Sequence, residues 1–158
     1  MRRRACRILR QVLLLILSLL LPLSLRADPP LRIIDPWMRE APPRSQVAAG
    51  YVTLENPGPA DRILTGAASP AFARVEMHQT IQHNGMARMA GLGELPIPVG
   101  GRVIFTPGGN HLMLIAPQGD RPLRAGQQVP LVLKFADGGS QALDLLVKGL
   151  PDSVRTAE

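Results

Sequence analysis

The chain reads as an all-β protein, a sandwich or Greek-key barrel, and three observations predict this. Apolar residues recur with period two over short stretches, Gly, Pro, Asn and Asp punctuate those stretches, and no segment of the main body sustains a helical repeat. Within 51–56, Val52 and Leu54 alternate with Tyr51, Thr53 and Glu55. After Pro130, the residues Leu131, Leu133 and Phe135 alternate with Val132 and Lys134, and a turn is predicted at Asp137, Gly138 and Gly139. A return strand with Leu143, Leu145 and Val147 on one side completes a C-terminal hairpin. Further strands are predicted over 62–65, 74–81, 102–106 and 111–116, with turns at Gly100-Gly101 and at Pro107-Gly108-Gly109-Asn110. About seven strands at this spacing favour a sandwich or Greek-key barrel. The Pro-rich stretch 28–43 is expected to run along an edge before the core begins.

The N-terminal region has a different character. Five arginines in the first ten residues (Arg2, Arg3, Arg4, Arg7 and Arg10) precede an apolar run over 12–21 that stops at Pro22. A basic start, a short apolar run and the small residue Ala27 predict a secretory signal peptide over 1–27, cleaved after Ala27; the run is too short to span a bilayer comfortably. Cys6 precedes the apolar run and so is not placed as a lipid anchor. With no internal repeat or linker, the remaining 28–158 are read as one domain.

Removing the leader changes the electrostatic reading. It holds six of the eighteen basic residues and none of the twelve acidic ones, so the net charge of +6 belongs to the targeting segment and the mature domain is formally neutral. Nucleic acid and anionic membrane surfaces both select a basic face, and neither is expected as a partner. Nor is membrane insertion expected after cleavage. The single cysteine leaves with the leader, and a domain of this size builds an ordinary core without disulfides.

Residues 77–113 hold four of the six methionines (Met77, Met86, Met89, Met113) and all three histidines (His78, His83, His111). Imidazole nitrogen and thioether sulfur form a soft, uncharged donor set, which suits Cu(I) far better than Zn(II), Ca(II) or Mg(II). In an oxidising compartment such donors also avoid the disulfides that thiols form. His111 and Met113 are two apart and therefore share one face of an extended segment, leaving Leu112 and Leu114 for the core. The same alternation sends Val75 and Met77 one way and Glu76 and His78 the other, so Met77 is a core residue and His78 a candidate ligand. Met89 follows the loop His83-Asn84-Gly85, which a hairpin would fold back toward His78.

On these residues the sequence resembles the periplasmic Cu(I) chaperones called PCu(A)C, whose signature is His, ten residues, Met, twenty-one residues, His, one residue, Met. It falls here on His78, Met89, His111 and Met113. Asp35-Pro36-Trp37, Ala48-Ala49-Gly50-Tyr51, Glu76-Met77-His78 and the run from Gly108 through His111 to Leu114 are also similar to the family, and the resemblance covers essentially the whole mature chain. It implies a cupredoxin-like sandwich, a periplasmic location, Cu(I) carriage by those four residues, and delivery toward the copper centre of cytochrome c oxidase, to its copper-accepting subunit or an assembly factor. A monomer is expected. Some members carry a His- and Met-rich C-terminal extension associated with a second copper; residues 151–158 contain neither, so no second site is expected.

Simpler roles are assigned to the other residues. Met38, Met77 and Met86 are expected to fill the core, His83 to sit in a solvated loop, Glu76 to be an exposed carboxylate or a partner of a ligand, and Trp37 to pack on the sandwich edge. The four ligand candidates are expected to meet at one end of the sandwich, with loops carrying His78 and Met89. A blue-copper electron carrier would need a Cys thiolate. An enzyme would need an open coordination position with a general base or carboxylate cluster, and no enzymatic activity is expected. Copper storage or tolerance, and a metal-free ligand-binding sandwich, are the alternatives.

Overall fold

The computed structural model describes residues 29–149 except 43, 84 and 120–122. The expected leader, Asp28, Pro43, Asn84 and the segment 151–158 lie outside the described residues. Ten strands follow one another: β1 (Arg32–Arg39), β2 (Val47–Glu55), β3 (Arg62–Ala68), β4 (Phe72–His83), β5 (Met86–Gly91), β6 (Leu95–Ile97), β7 (Arg102–Phe105), β8 (Asn110–Pro117), β9 (Gln128–Phe135) and β10 (Ser140–Lys148). They hydrogen-bond in the order β5-β4-β8-β7-β2-β1-β10-β9-β3-β6, and additional β4–β3 and β8–β2 pairings are made. The β3–β4 pairing, Ala67 opposite Val75, closes the eight strands from β4 round to β3 into a barrel. It is a mixed barrel, because β1 runs parallel to β10 and β7 parallel to β8. Strands β5 and β6 extend the sheet beyond this closure.

The period-two pattern builds the interior as predicted. Val52, Leu54, Leu131, Leu133, Leu145 and Val147 are buried, together with Leu112 and Leu114 of β8 and the methionines Met38 and Met77. Gly50 faces the same interior. It lies opposite Leu112, and a Cβ there would come within 3.1 Å of Cδ1 of both Leu114 and Leu145. Its lack of a side chain lets β2 sit close against β8 and β10.

Two expectations are corrected. The stretch read as an edge run contains β1, which lies inside the sheet between β2 and β10. Proline argues against an interior strand, but Pro36 sits where the β1–β2 register shifts between Ile34 and Trp37, with Asp35 at φ +43. A bulge is where an interior strand tolerates proline. Met86, expected in the core, is 60% exposed. It belongs to β5, which pairs with β4 alone and is exposed at all but one of its positions, so no core lies within its reach.

Candidate metal centre

Strand β8 is flanked by β4 and β2, and their registers decide which side chains meet. His111 lies opposite His78, and Met113 opposite Glu76. On the other flank Ala49 lies opposite Met113. In the β4–β5 hairpin Met89 lies opposite Thr80. Opposed residues share a face and alternate residues return to it, so Glu76, His78, Thr80, Met89, His111 and Met113 all project outward. Met77, Leu112 and Leu114 project into the core on the reverse side, where all are buried.

Three of the four candidate ligands converge. His111, Met113 and Met89 line one cleft of about 320 Å³, with Tyr51, Thr80 and Ala49 as further walls. The fourth, His78, lines an adjoining hollow with Glu76, Gly91 and Leu92. Its ring nevertheless stands beside that of His111, with centroids 5.9 Å apart and planes at 44°. A metal about 2 Å from an imidazole nitrogen is about 3.2 Å from that ring's centroid, so rings up to about 6.4 Å apart can share one ion. The separation of the two imidazoles is within that reach. Among the described residues no three His, Cys, Asp or Glu side chains gather to form a harder site, so it is thioethers that would complete the two imidazoles.

Each imidazole is held differently. His111 is only 8% exposed, and its Nδ1–H donates to the Gly109 carbonyl at 3.1 Å. A carbonyl only accepts, so the Nε2 of His111 keeps its lone pair. The same Gly109 carbonyl accepts the backbone N–H of Thr80 at 3.1 Å, which ties the turn before β8 to β4. His78 Nε2 lies 2.9 Å from Glu76 Oε2, and Arg74 Nε lies 3.0 Å from Glu76 Oε1. The other ring nitrogen of His78, Nδ1, is buried and has no hydrogen-bond partner.

The placement differs from expectation in one respect. His78 and Met89 are carried by strands β4 and β5, not by loops. His83 is exposed at the far end of β4, opposite Met86 and away from the cleft lining. Tyr51 belongs to a stretch that resembles the family but is given no role by the sequence. It is 8% exposed, packs on Trp37 with ring centroids 4.5 Å apart, and walls the cleft. Alternation in 51–56 puts it on the face opposite Val52, but no local signal says that β8 lies alongside.

Comparison with known proteins agrees with this architecture. Residues 31–147 match the family described as "Putative lipoprotein LpqE-like". "Putative lipoprotein Lxx21020" of Leifsonia xyli subsp. xyli is 32% identical over 113 residues, 71% of this chain; the match spans 66% of that relative, just under two thirds of its length. The solution structure of Cu(I)-DR1885 from Deinococcus radiodurans is 31% identical with a TM-score of 0.60, covering 80% of this chain and 83% of that one. The copper-bound PCuAC domain from PmoF2 has the same fold, with a TM-score of 0.63 at 23% identity, covering 78% of this chain and 97% of that one. The barrel is thus cupredoxin-like, and the chain belongs to the LpqE-like family, with a domain of the PCuAC type.

Proposed function

We propose that this domain binds one Cu(I) through His78, Met89, His111 and Met113 and works outside the cytoplasm as a copper chaperone. The observation that carries the reading is the convergence of Met89, His111 and Met113 on one cleft, with the His78 ring 5.9 Å from that of His111. Two neutral imidazoles and two thioethers favour the monovalent, softer oxidation state. The Cu(I) named in the DR1885 structure supports the same choice. The basic and apolar leader, together with the lipoprotein description of the family, supports export. The acceptor is the copper-bearing subunit of a cytochrome c oxidase or a factor assembling it, and the carrier is a monomer.

The test is a Cu(I) titration of the exported protein, which should begin at Asp28, in competition with a chromogenic chelator under reducing conditions. One equivalent should bind, the product should be colourless for want of a thiolate, and His111→Ala or Met113→Ala should weaken binding by about tenfold or more. Unchanged affinity in both variants would overturn the ligand assignment, and no Cu(I) binding by the wild type would favour a metal-free ligand-binding sandwich. Binding of several equivalents with slow release would favour storage or tolerance.

A further inference from the structure

The hydrogen bonds around the two histidines say more than that both are near the cleft. Glu76 Oε2 lies 2.9 Å from His78 Nε2, while Glu76 Oε1 is paired with Arg74 Nε at 3.0 Å. A carboxylate held by a guanidinium only accepts, so Nε2 of His78 carries the hydrogen, and in the neutral ring the lone pair is on Nδ1. That Nδ1 is the buried ring nitrogen with no hydrogen-bond partner. A buried polar atom without a partner is costly and calls for a reason. A soft cation shared with His111 supplies one. At His111 the arrangement is reversed, since the Gly109 carbonyl takes the Nδ1–H and leaves Nε2 with the lone pair.

We infer that Glu76 is a positioning residue that fixes the tautomer of His78, so that His78 meets Cu(I) through Nδ1 while His111 meets it through Nε2. The inference rests on the copper reading above and deepens it. An imidazole whose outer nitrogen donates to a carboxylate is better oriented and more basic at its inner nitrogen, and loss of such a partner costs a metal site about 10–100-fold in affinity. A rival arrangement is that Glu76 latches His78 away from the metal by holding the ligating nitrogen itself. The two differ in sign: removing Glu76 weakens copper binding if it positions His78 and strengthens it if it is a latch.

The experiment is nitrogen NMR of the imidazoles in the exported protein, at mildly alkaline pH where imidazole is neutral, before and after one equivalent of Cu(I). It is paired with chelator competition for the wild type, Glu76→Ala and Glu76→Gln. Without copper, His78 should be protonated at Nε2 and His111 at Nδ1. On loading, the metal-induced shift should fall on His78 Nδ1 and His111 Nε2. Glu76→Ala should mix the His78 tautomers and weaken Cu(I) binding by about 10–100-fold. Glu76→Gln, whose amide oxygen still accepts from Nε2–H, should keep the tautomer and recover most of the affinity. A copper shift at His78 Nε2, or tighter binding by Glu76→Ala, would overturn the inference while leaving the copper site standing. Absence of a copper shift at both histidines would overturn the copper reading, and the inference with it.

Discussion

Met89 is the residue at which ligation and folding separate most cleanly. It lines the cleft yet is 62% exposed, on a strand that adds nothing to the buried core. Met89→Ala is therefore expected to leave the urea unfolding midpoint almost unchanged, within about 0.5 kcal/mol. The same change should weaken Cu(I) binding by about tenfold or more, read by chelator competition. Equal affinity in the variant would remove Met89 from the ligand set. His111 offers no such separation, because it is buried and its ring is bonded to the turn. Much of this was legible in the sequence. The alternation of Met77 with His78, and of Leu112 with Met113, already separated core from outer face. Met86 was misread because composition does not reveal that its strand lies beyond the barrel. The alternation that put Glu76 on the face of His78 also offered it as a partner of a ligand, whereas the contacts of Tyr51 depend on side-chain positions that no spacing encodes.

At the scale of elements, support is uneven. Strand β8 is bonded along both edges, to β4 on one side and to β2 and β7 on the other, whereas β5 is bonded only to β4. Opening free energies follow such differences. Amide hydrogen exchange of the copper-free protein should therefore be faster through Ala87 and Arg88 in β5 than through Leu112 and Leu114 in β8. Comparable protection in the two strands would contradict this picture. Close packing of β2 leads to a second expectation. A methyl group at Gly50 would press on Leu114 and Leu145 at 3.1 Å, so Gly50→Ala should destabilise the domain by about 1–3 kcal/mol in urea titration. The sequence disclosed the β9–β10 hairpin and the strands around 51–56 and 111–116, where period two is strong and Gly-rich turns are explicit. It concealed β1, because Pro36 lies in a bulge, and β5 and β6, which are short and largely exposed or interrupted by proline.

For the molecule as a whole, the barrel presents the candidate ligands on an outer face beside the exposed apolar Val47. Residues 28–158 carry equal numbers of basic and acidic side chains, so on the copper reading encounter with an acceptor relies on contact at that face more than on long-range attraction. On the copper reading, an acceptor's ligands reach the metal before all four of the carrier's have left. Rapid-mixing kinetics should then show transfer from the loaded protein that is faster than loss to a chelator and accelerates with acceptor concentration. A rate equal to the spontaneous off-rate at every concentration would mean passive buffering. Whole-chain closure was the least legible level: the seam at Ala67 and Val75 joins strands by a single opposed pair, and no motif in the sequence announces it.

The uneven footing of β5 and β8 also gives unloading a direction. Met89 reaches the cleft from a strand bonded along one edge, while His111 and Met113 stand on a strand clamped along both. On the copper reading, a lift of the hairpin would free the thioether of Met89 first and open the gap on the β5 side. An incoming donor would enter there while His111 and Met113 still held the ion on β8, and those two bonds would be the last to break.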